Sequence, residues 1–209
     1  RMNIGIIGTG SMATALGAPW AERGHSIVFG SRTPQSAVAL AGRIGKNACG
    51  GSYAEAARFG EVVVLAVPYS AAHEAVTAAG DLGGKVLIDI TNPIAPGMSG
   101  FLVGADTSGA GEIASWASGA RVVKAFNVLG ARGISNLRYD SQTASTFICG
   151  DDPAAKSIVS TLGQEIGFDV IDAGPLANAN LLESLAMLWV KLAYQQGYGP
   201  DIALKLMRR

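Results

Sequence analysis

The sequence is short of charge. Only 15% of its 209 residues are charged, against about 25% in an average soluble domain. Its 16 basic and 16 acidic residues cancel. No basic field is therefore available to hold nucleic acid, and no polybasic or acidic block marks a charged partner. Cysteine is confined to Cys49 and Cys149, which share no metal-ligand or redox spacing. The expectation is two idle or buried thiols in a reducing cytoplasm. Histidine is confined to His25 and His73. No metal-ligand cluster, Ser-His-Asp set or adjacent carboxylate pair is evident. Long apolar runs are missing too. The longest, Val62 to Tyr69, is far short of the ~20 residues that span a bilayer, and the apolar stretch near Leu185 is interrupted by Lys191. Met2–Ile7 has no charged stretch ahead of a long apolar core, so no secretory leader is read there.

What is present is apolar and rich in glycine. Hydrophobic residues make up 49%, and 28 glycines occur without a period. That composition excludes global disorder and collagen. The length suits one large domain over residues 1–209. Strand-like and helix-like segments alternate: Ile4–Ile7, Ser11–Arg23, Ser26–Phe29, Pro34–Ile44, a short strand near Asn47–Cys49, then Tyr53–Phe59, Val62–Val67, Ala71–Ala79 and Val86–Ile90. Runs apolar on both faces, such as Val62–Val67, suit the centre of a parallel sheet. Together they predict an α/β, doubly wound, mainly parallel sheet with helices on both faces. Thr91–Ala110, with Pro93, Pro96 and several glycines, reads as a long functional loop. Beyond it come Glu112–Trp116, Val122–Phe126, extra strands at Ser145–Cys149 and Asp169–Ile171, and a helix over Pro153–Glu165. A long helix starts at Asn178. Its Leu181, Leu185, Leu188 and Leu192 form an apolar stripe. Residues 178–209 are expected as a helical extension packing on the domain or on a dimer partner.

The first turn carries the chemistry. Gly8-Thr9-Gly10-Ser11-Met12-Ala13 follows a strand and opens a helix, the G-x-G-x-x-A form of the dinucleotide fingerprint. Gly8 permits the turn, Gly10 a close approach of the pyrophosphate, and Ala13 close helix–strand packing. The helix start offers unpaired N–H groups to the anion. No acid occurs from Gly24 to Ser36, where an NAD site needs one for the ribose diol. Ser31-Arg32-Thr33 stands there instead. Two hydroxyls and a guanidinium suit a phosphate, so the expected cofactor is NADP(H). Val67-Pro68-Tyr69, Thr91-Asn92-Pro93 and Ala125-Phe126-Asn127 end later strands and form a plausible wall for the rest of the dinucleotide. His73 is the histidine nearest that edge. No proton donor is obvious, so the catalytic residues stay unassigned and transfer between two redox rings is favoured over carbonyl reduction.

These residues resemble the NADPH-dependent reductases of the deazaflavin coenzyme F420, a family that also includes the cytosolic reductase domain of the STEAP metalloreductases. The resemblance covers nearly the whole chain. It rests on Gly8–Met12, Gly30-Ser31-Arg32, Ala66-Val67-Pro68, Val122–Asn127, Cys149-Gly150-Asp151-Asp152, Asp172–Leu176 and Asn180–Leu185. It implies that Thr9–Met12 hold the pyrophosphate, that Ser31 and Arg32 hold the 2′-phosphate, and that Val67, Asn92 and Ala125 line the ribose and nicotinamide part of the cleft. It implies a flavin-like acceptor, F420 or FAD/FMN, stacked on the nicotinamide, and a homodimer built partly by the C-terminal helix. Gln35 and Ser36 stand where the archaeal reductases carry a basic residue, and Ala125-Phe126-Asn127 is closer to the STEAP-like branch. These departures bear on the acceptor rather than on NADPH. Two other readings remain: an NADPH-dependent imine or carbonyl reductase, and an NADP-binding sensor without turnover. The fingerprint also resembles pyrroline-carboxylate reductases, but only about thirty residues follow Ala177, too few for their helical dimerisation domain.

Overall fold

In the computed structural model, which describes residues 1–45, 47–104 and 106–209, the chain opens with β1 (Asn3–Ile7), α1 (Ser11–Glu22), β2 (Ser26–Gly30), α2 (Pro34–Ile44) and β3 (Ala48–Gly51). It continues through α3 (Tyr53–Phe59), β4 (Val62–Leu65), α4 (Ala72–Ala79), β5 (Val86–Asp89), α5 (Gly109–Trp116) and β6 (Arg121–Lys124). The last part holds α6 (Ala131–Ile134), a small hairpin of β7 (Arg138–Tyr139) and β8 (Gln142–Thr143), then β9 (Ser145–Gly150), α7 (Pro153–Glu165), β10 (Asp169–Asp172) and α8 (Ala179–Tyr194).

Eight strands form one sheet in the order β10-β9-β6-β5-β4-β1-β2-β3. Neighbours run parallel except β6 and β9, which meet antiparallel with Lys124 opposite Cys149. Burial on both faces explains why β4 is apolar without interruption. Val62, Val64, Val86 and Ile88 face one helix layer, with α1, α2, α7 and α8. Val63, Leu65 and Leu87 face the other, with α3, α4 and α5. The first layer is tied across the sequence. The Trp20 indole N–H donates to the Leu162 carbonyl at 2.9 Å, and the buried His25 ring meets Glu165 at 2.8 Å.

Several expected elements differ in extent. β4 stops at Leu65 rather than Val67; Ala66 N–H still donates to Ile7 O at 2.8 Å, and Pro68 then leads into a turn over Tyr69–Ala71. β6 stops at Lys124 rather than Phe126, whose φ of +55° breaks the extended run. The loop from Thr91 is not structureless. Ile94 bridges Phe101, Ala95 N–H donates to Gly100 O, and α5 begins at Gly109; Ala105 lies outside the described residues.

The C-terminal region departs most. Of the stripe Leu181, Leu185, Leu188 and Leu192, Leu185 packs half-buried against the core, and the stripe is not the most buried face of α8. Leu181 and Leu188 are 61% and 50% exposed, while Leu182, Ala186, Trp189 and Ala193 are buried. The helix also ends at Tyr194 rather than running on toward residue 209. Gly197 and Gly199 take positive φ, and the chain then returns to β9 and α8. There Leu204 O accepts from Ser145 N–H, and Ile202 O from the Trp189 indole.

Candidate functional site

The two fingerprint glycines have different reasons to be glycine. Gly8 has φ +130°, and a Cβ there would lie 2.2 Å from the Ala66 carbonyl oxygen. Its N–H donates to Gly30 O at 2.9 Å, so the turn is wedged between the ends of β2 and β4. Gly10 caps α1 in an ordinary extended conformation, φ −78°, and a Cβ there would meet nothing within 4 Å. The protein's own packing does not demand glycine at that point, and the space in front of it is open. The first turn of α1 has no acidic residue and no side-chain cap. The earliest N–H to close the helix ladder is that of Thr14, on Gly10 O at 3.1 Å, so the N–H groups of the turn before it remain for an anion. These residues fit the pyrophosphate of a dinucleotide.

Beside this turn, at the end of β2, Ser31 N–H donates to Gly51 O at 3.0 Å, and Ser31 Oγ accepts from Thr33 N–H at 3.2 Å. Arg32 is exposed and makes no ion pair among the described residues. Its guanidinium is available for an outside anion.

On the other side of the turn opens a cleft of about 470 Å³. Its walls are Gly10, Ser11 and Met12, the segment from Ala66 to Ser70, the segment from Ile90 to Asn92, and Ile94, Pro96 and Leu102 of the long loop. The structure thus gathers six of the expected site residues around one cavity: Gly10, Ser11, Met12, Val67, Pro68 and Asn92. Gly8 and Thr9 form the turn beside it, and Ser31, Arg32 and Thr33 lie outside it at the neighbouring strand end. Pro93, Ala125 and Asn127 are buried and do not line the cavity. Asn127 acts through Asn92. Its amide donates to Asn92 Oδ1 at 3.0 Å and to Leu182 O at 3.0 Å, and Asn92 Nδ2 donates back to Asn127 O at 2.8 Å.

An F420-dependent NADP reductase of Methanothermobacter marburgensis is 31% identical over 207 residues, covering 91% of this chain and 92% of that protein. The chain belongs to the F420-dependent NADP oxidoreductase family. The family's model, described as NADP oxidoreductase, coenzyme F420-dependent, matches residues 3–93. A solved structure from Arthrobacter sp. FB24, named for the F420-dependent NADP reductases, superposes over the full length of both chains with TM-score 0.89 at 29% identity. Metalloreductase STEAP3 of Rattus norvegicus is 31% identical over 184 residues; the match takes in 88% of this chain but 36% of STEAP3. A reductive aminase of Aspergillus terreus shares the fold, with TM-score 0.69 at 21% identity, and 63% of its chain is covered. The protein is an NADP-dependent oxidoreductase.

In this family member, four side chains that sequence reasoning did not assign lie behind the cleft wall, bonded to Thr91 and Tyr69 or to one another. Lys124, fully buried, donates to Asp89 at 2.8 Å and to the Thr91 carbonyl at 2.5 Å, and pairs with Glu183 at 2.9 Å. Burial opposes its charge, but the two carboxylates outweigh that and raise its pKa above the ordinary lysine value. Asp89 also accepts from Thr91 N–H at 2.8 Å, so Lys124 and Asp89 grip both backbone groups of a cleft residue. Glu183, from α8, accepts from the Gly109 and Ala110 N–H groups at 3.1 Å each and closes the start of α5. Glu112 on α5 accepts from the Tyr69 hydroxyl at 2.5 Å. Burial, then that hydrogen bond, pushes the phenol far above its usual range. Lys124 was visible as a charge inside an apolar strand, but no sequence spacing links it to Glu183.

The remaining candidates are structural. His25 is buried against Glu165, and His73 is exposed with its ring edge-on to Trp116 at 4.9 Å. Cys49 and Cys149 are both free; Cys149 is buried, which pushes its thiol up to about 12. Asp152 caps α7 by accepting from Ala155 N–H at 2.7 Å.

Proposed function

We propose that the protein transfers hydride between NADP(H) and a flavin-like ring, a deazaflavin such as F420 before FAD or FMN. The observation that carries this reading is the cleft lining. From the anion-ready turn at Gly10–Met12 to Thr91–Asn92, none of the described lining residues carries a charge, and Ile94, Pro96 and Leu102 supply an apolar wall. Such a site orients and stacks planar rings and excludes water. Bound NADP(H) supplies the hydride itself. The chain's part is to hold the pyrophosphate at Thr9–Met12, the 2′-phosphate at Ser31, Arg32 and Thr33, and the nicotinamide half between Val67, Pro68 and Asn92, backed by Pro93, Ala125 and Asn127. The imine or carbonyl reductase reading draws less support. The phenol on the wall, Tyr69, donates its O–H to Glu112 in a hydrogen bond and has a raised pKa, which makes it a poor acid.

The test is stopped-flow oxidation of NADPH with F420, FMN and FAD against buffer alone. Rapid oxidation by one of them supports the reading and names the acceptor. Tight NADPH binding with no oxidation by any would overturn it in favour of a carbonyl or imine substrate or a sensor. The cofactor assignment has its own test. Arg32→Ala removes a charge-assisted contact of about 1.5–3 kcal/mol, so NADPH affinity should fall roughly 10- to 150-fold while NADH affinity holds within about twofold. Equal losses in a titration of both would sink the 2′-phosphate role.

We further propose a homodimer working in the cytoplasm, with α8 in its interface. No helix among the described residues is long and apolar enough to cross a membrane, yet Leu181, Leu188 and Tyr194 stand exposed along α8. Exposed apolar side chains two helical turns apart, as Leu181 and Leu188 are, suit an association surface. The double substitution Leu181→Glu, Leu188→Glu should convert a dimer to a monomer in sedimentation velocity. A wild-type chain that sediments as a monomer would refute the proposal.

A further inference from the structure

The fixed charges around the cleft are unevenly distributed. On the β2 side of the fingerprint turn stand Arg32 and the positive end of α1. On the β4–β5–β6 side stands the buried cluster of Asp89, Lys124 and Glu183, whose side chains are at most 2% exposed. Every carboxylate oxygen in it faces a donor. Asp89 receives Thr91 N–H and Lys124, while Glu183 receives Lys124, Gly109 N–H and Ala110 N–H. All of these contacts come from donors, one of them an ammonium, and that suits ionised carboxylates, since a proton on either would find no acceptor among these partners. Two carboxylates against one ammonium leave a net charge of minus one, held out of water just behind Thr91. Glu112, receiving the Tyr69 hydroxyl, adds a second negative group on the same side. No basic side chain lines the cleft among the described residues.

We propose that this buried negative field makes the cleft favour the oxidised, cationic nicotinamide over the reduced, neutral one, so that the protein is built to run in the direction of NADPH oxidation, toward its acceptor. The inference rests on the NADP(H) reading above. The sheet order puts the 2′-phosphate end at β2, so the nicotinamide end falls to β4 and β5, where the charge lies. When the hydride departs to the acceptor with its electron pair, the ring it leaves becomes positive. A nearby charge of opposite sign, shielded by protein rather than by water, stabilises that product state. The field reaches the cleft wall, since Glu112, Glu183 and Asp89 all act to raise the Tyr69 pKa, after burial and its hydrogen bond. The dipole of α5 and its N–H groups temper Glu183 without cancelling its charge.

The test compares dissociation constants for NADP+ and NADPH, by calorimetry without acceptor, in wild type, Glu112→Gln and Glu183→Gln. The amide in Glu112→Gln still accepts from Tyr69, so that variant loses one charge and keeps the hydrogen bond; Glu183→Gln leaves a balanced Lys124–Asp89 pair but sets its NH2 against one of the donors that Glu183 now receives. The wild type should bind NADP+ more tightly than NADPH. In each variant that preference should fall on the order of 5-fold, as expected for one partly screened charge, with NADP+ weakened more than NADPH. A preference within about twofold of wild type in Glu112→Gln overturns the proposal, as does an equal loss for both nucleotides, which is what a merely structural residue would give. If Glu183→Gln does not fold, Glu112→Gln, half-buried and outside the cluster, decides alone. A wild type that binds neither nucleotide would fail the NADP(H) reading itself, which separates the two failures.

Discussion

Lys124→Ala should cost this protein about 3–5 kcal/mol, the cost of breaking a buried ion pair by removing one partner. The lysine is fully buried and is the counter-ion of two carboxylates that are equally inaccessible. Without it, Asp89 and Glu183 face each other uncompensated, and the Thr91 carbonyl loses its donor. Native stabilities are about 5–15 kcal/mol, so the variant should approach the threshold of folding. At this chain length the melting temperature should drop on the order of 10 °C. Lys124→Met, which fills the volume without the charge, should be nearly as damaging. A methionine variant that melts within about 2 °C of wild type would show that packing, not charge, holds this junction. The junction joins β5, β6, α5 and α8 beside the cleft, so activity and stability should fall together.

Gly10→Val should do the reverse, abolishing nucleotide binding with little effect on stability. The glycine adopts an extended conformation that valine tolerates, and nothing in the protein lies within 4 Å of a Cβ there. The cost to the fold is limited to a poorer helix cap, about 1 kcal/mol or less. The added side chain occupies the space through which a pyrophosphate must reach the first turn of α1. NADPH affinity should fall at least about 100-fold, as much as or more than loss of a single charge-assisted bond would cost. Fluorescence titration and a thermal melt of the same sample measure both quantities. Retained affinity would mean that the anion binds elsewhere, while a large drop in melting temperature would mean that Gly10 serves the fold.

The architecture was legible because parallel strands buried on both faces leave runs such as Val62–Leu65, and because α2, α3 and α7 begin and end on residues that suit those positions. Gly8 and Gly10 were both readable as a fingerprint, though only the structure separates a glycine required by Ala66 from one that the protein's own packing leaves free. The burial of α8 was not legible. Leu181, Leu185, Leu188 and Leu192 repeat at four, three and four, and so do the buried Leu182, Ala186, Trp189 and Ala193. Period reports that a face exists, not which of two adjacent faces turns inward. The charged cluster was hidden for another reason. Its members come from β5, β6 and α8, and only the antiparallel turn to β9 and the return of the chain bring α8 over the strand ends. Tyr69 was read as part of a strand end, and its partner Glu112 lies on a helix whose start at Gly109 carried no sequence mark beyond Ser108.

The bond from Trp20 to Leu162 and the contact of His25 with Glu165 link the far end of α1 to the far end of α7. The helix that presents Ser11 and Met12 to a ligand is therefore fastened, at its other end, to a segment 142 and 140 residues away in sequence at the two contacts. Opening of α1 breaks the Trp20 fastening and strips support from the His25 contact just beyond it, so α1 and α7 are expected to exchange as one cooperative unit. A ligand seated at the fingerprint adds its binding free energy to that whole unit. Occupancy at one edge of the sheet is thereby felt as slower breathing of a helix that never touches the ligand.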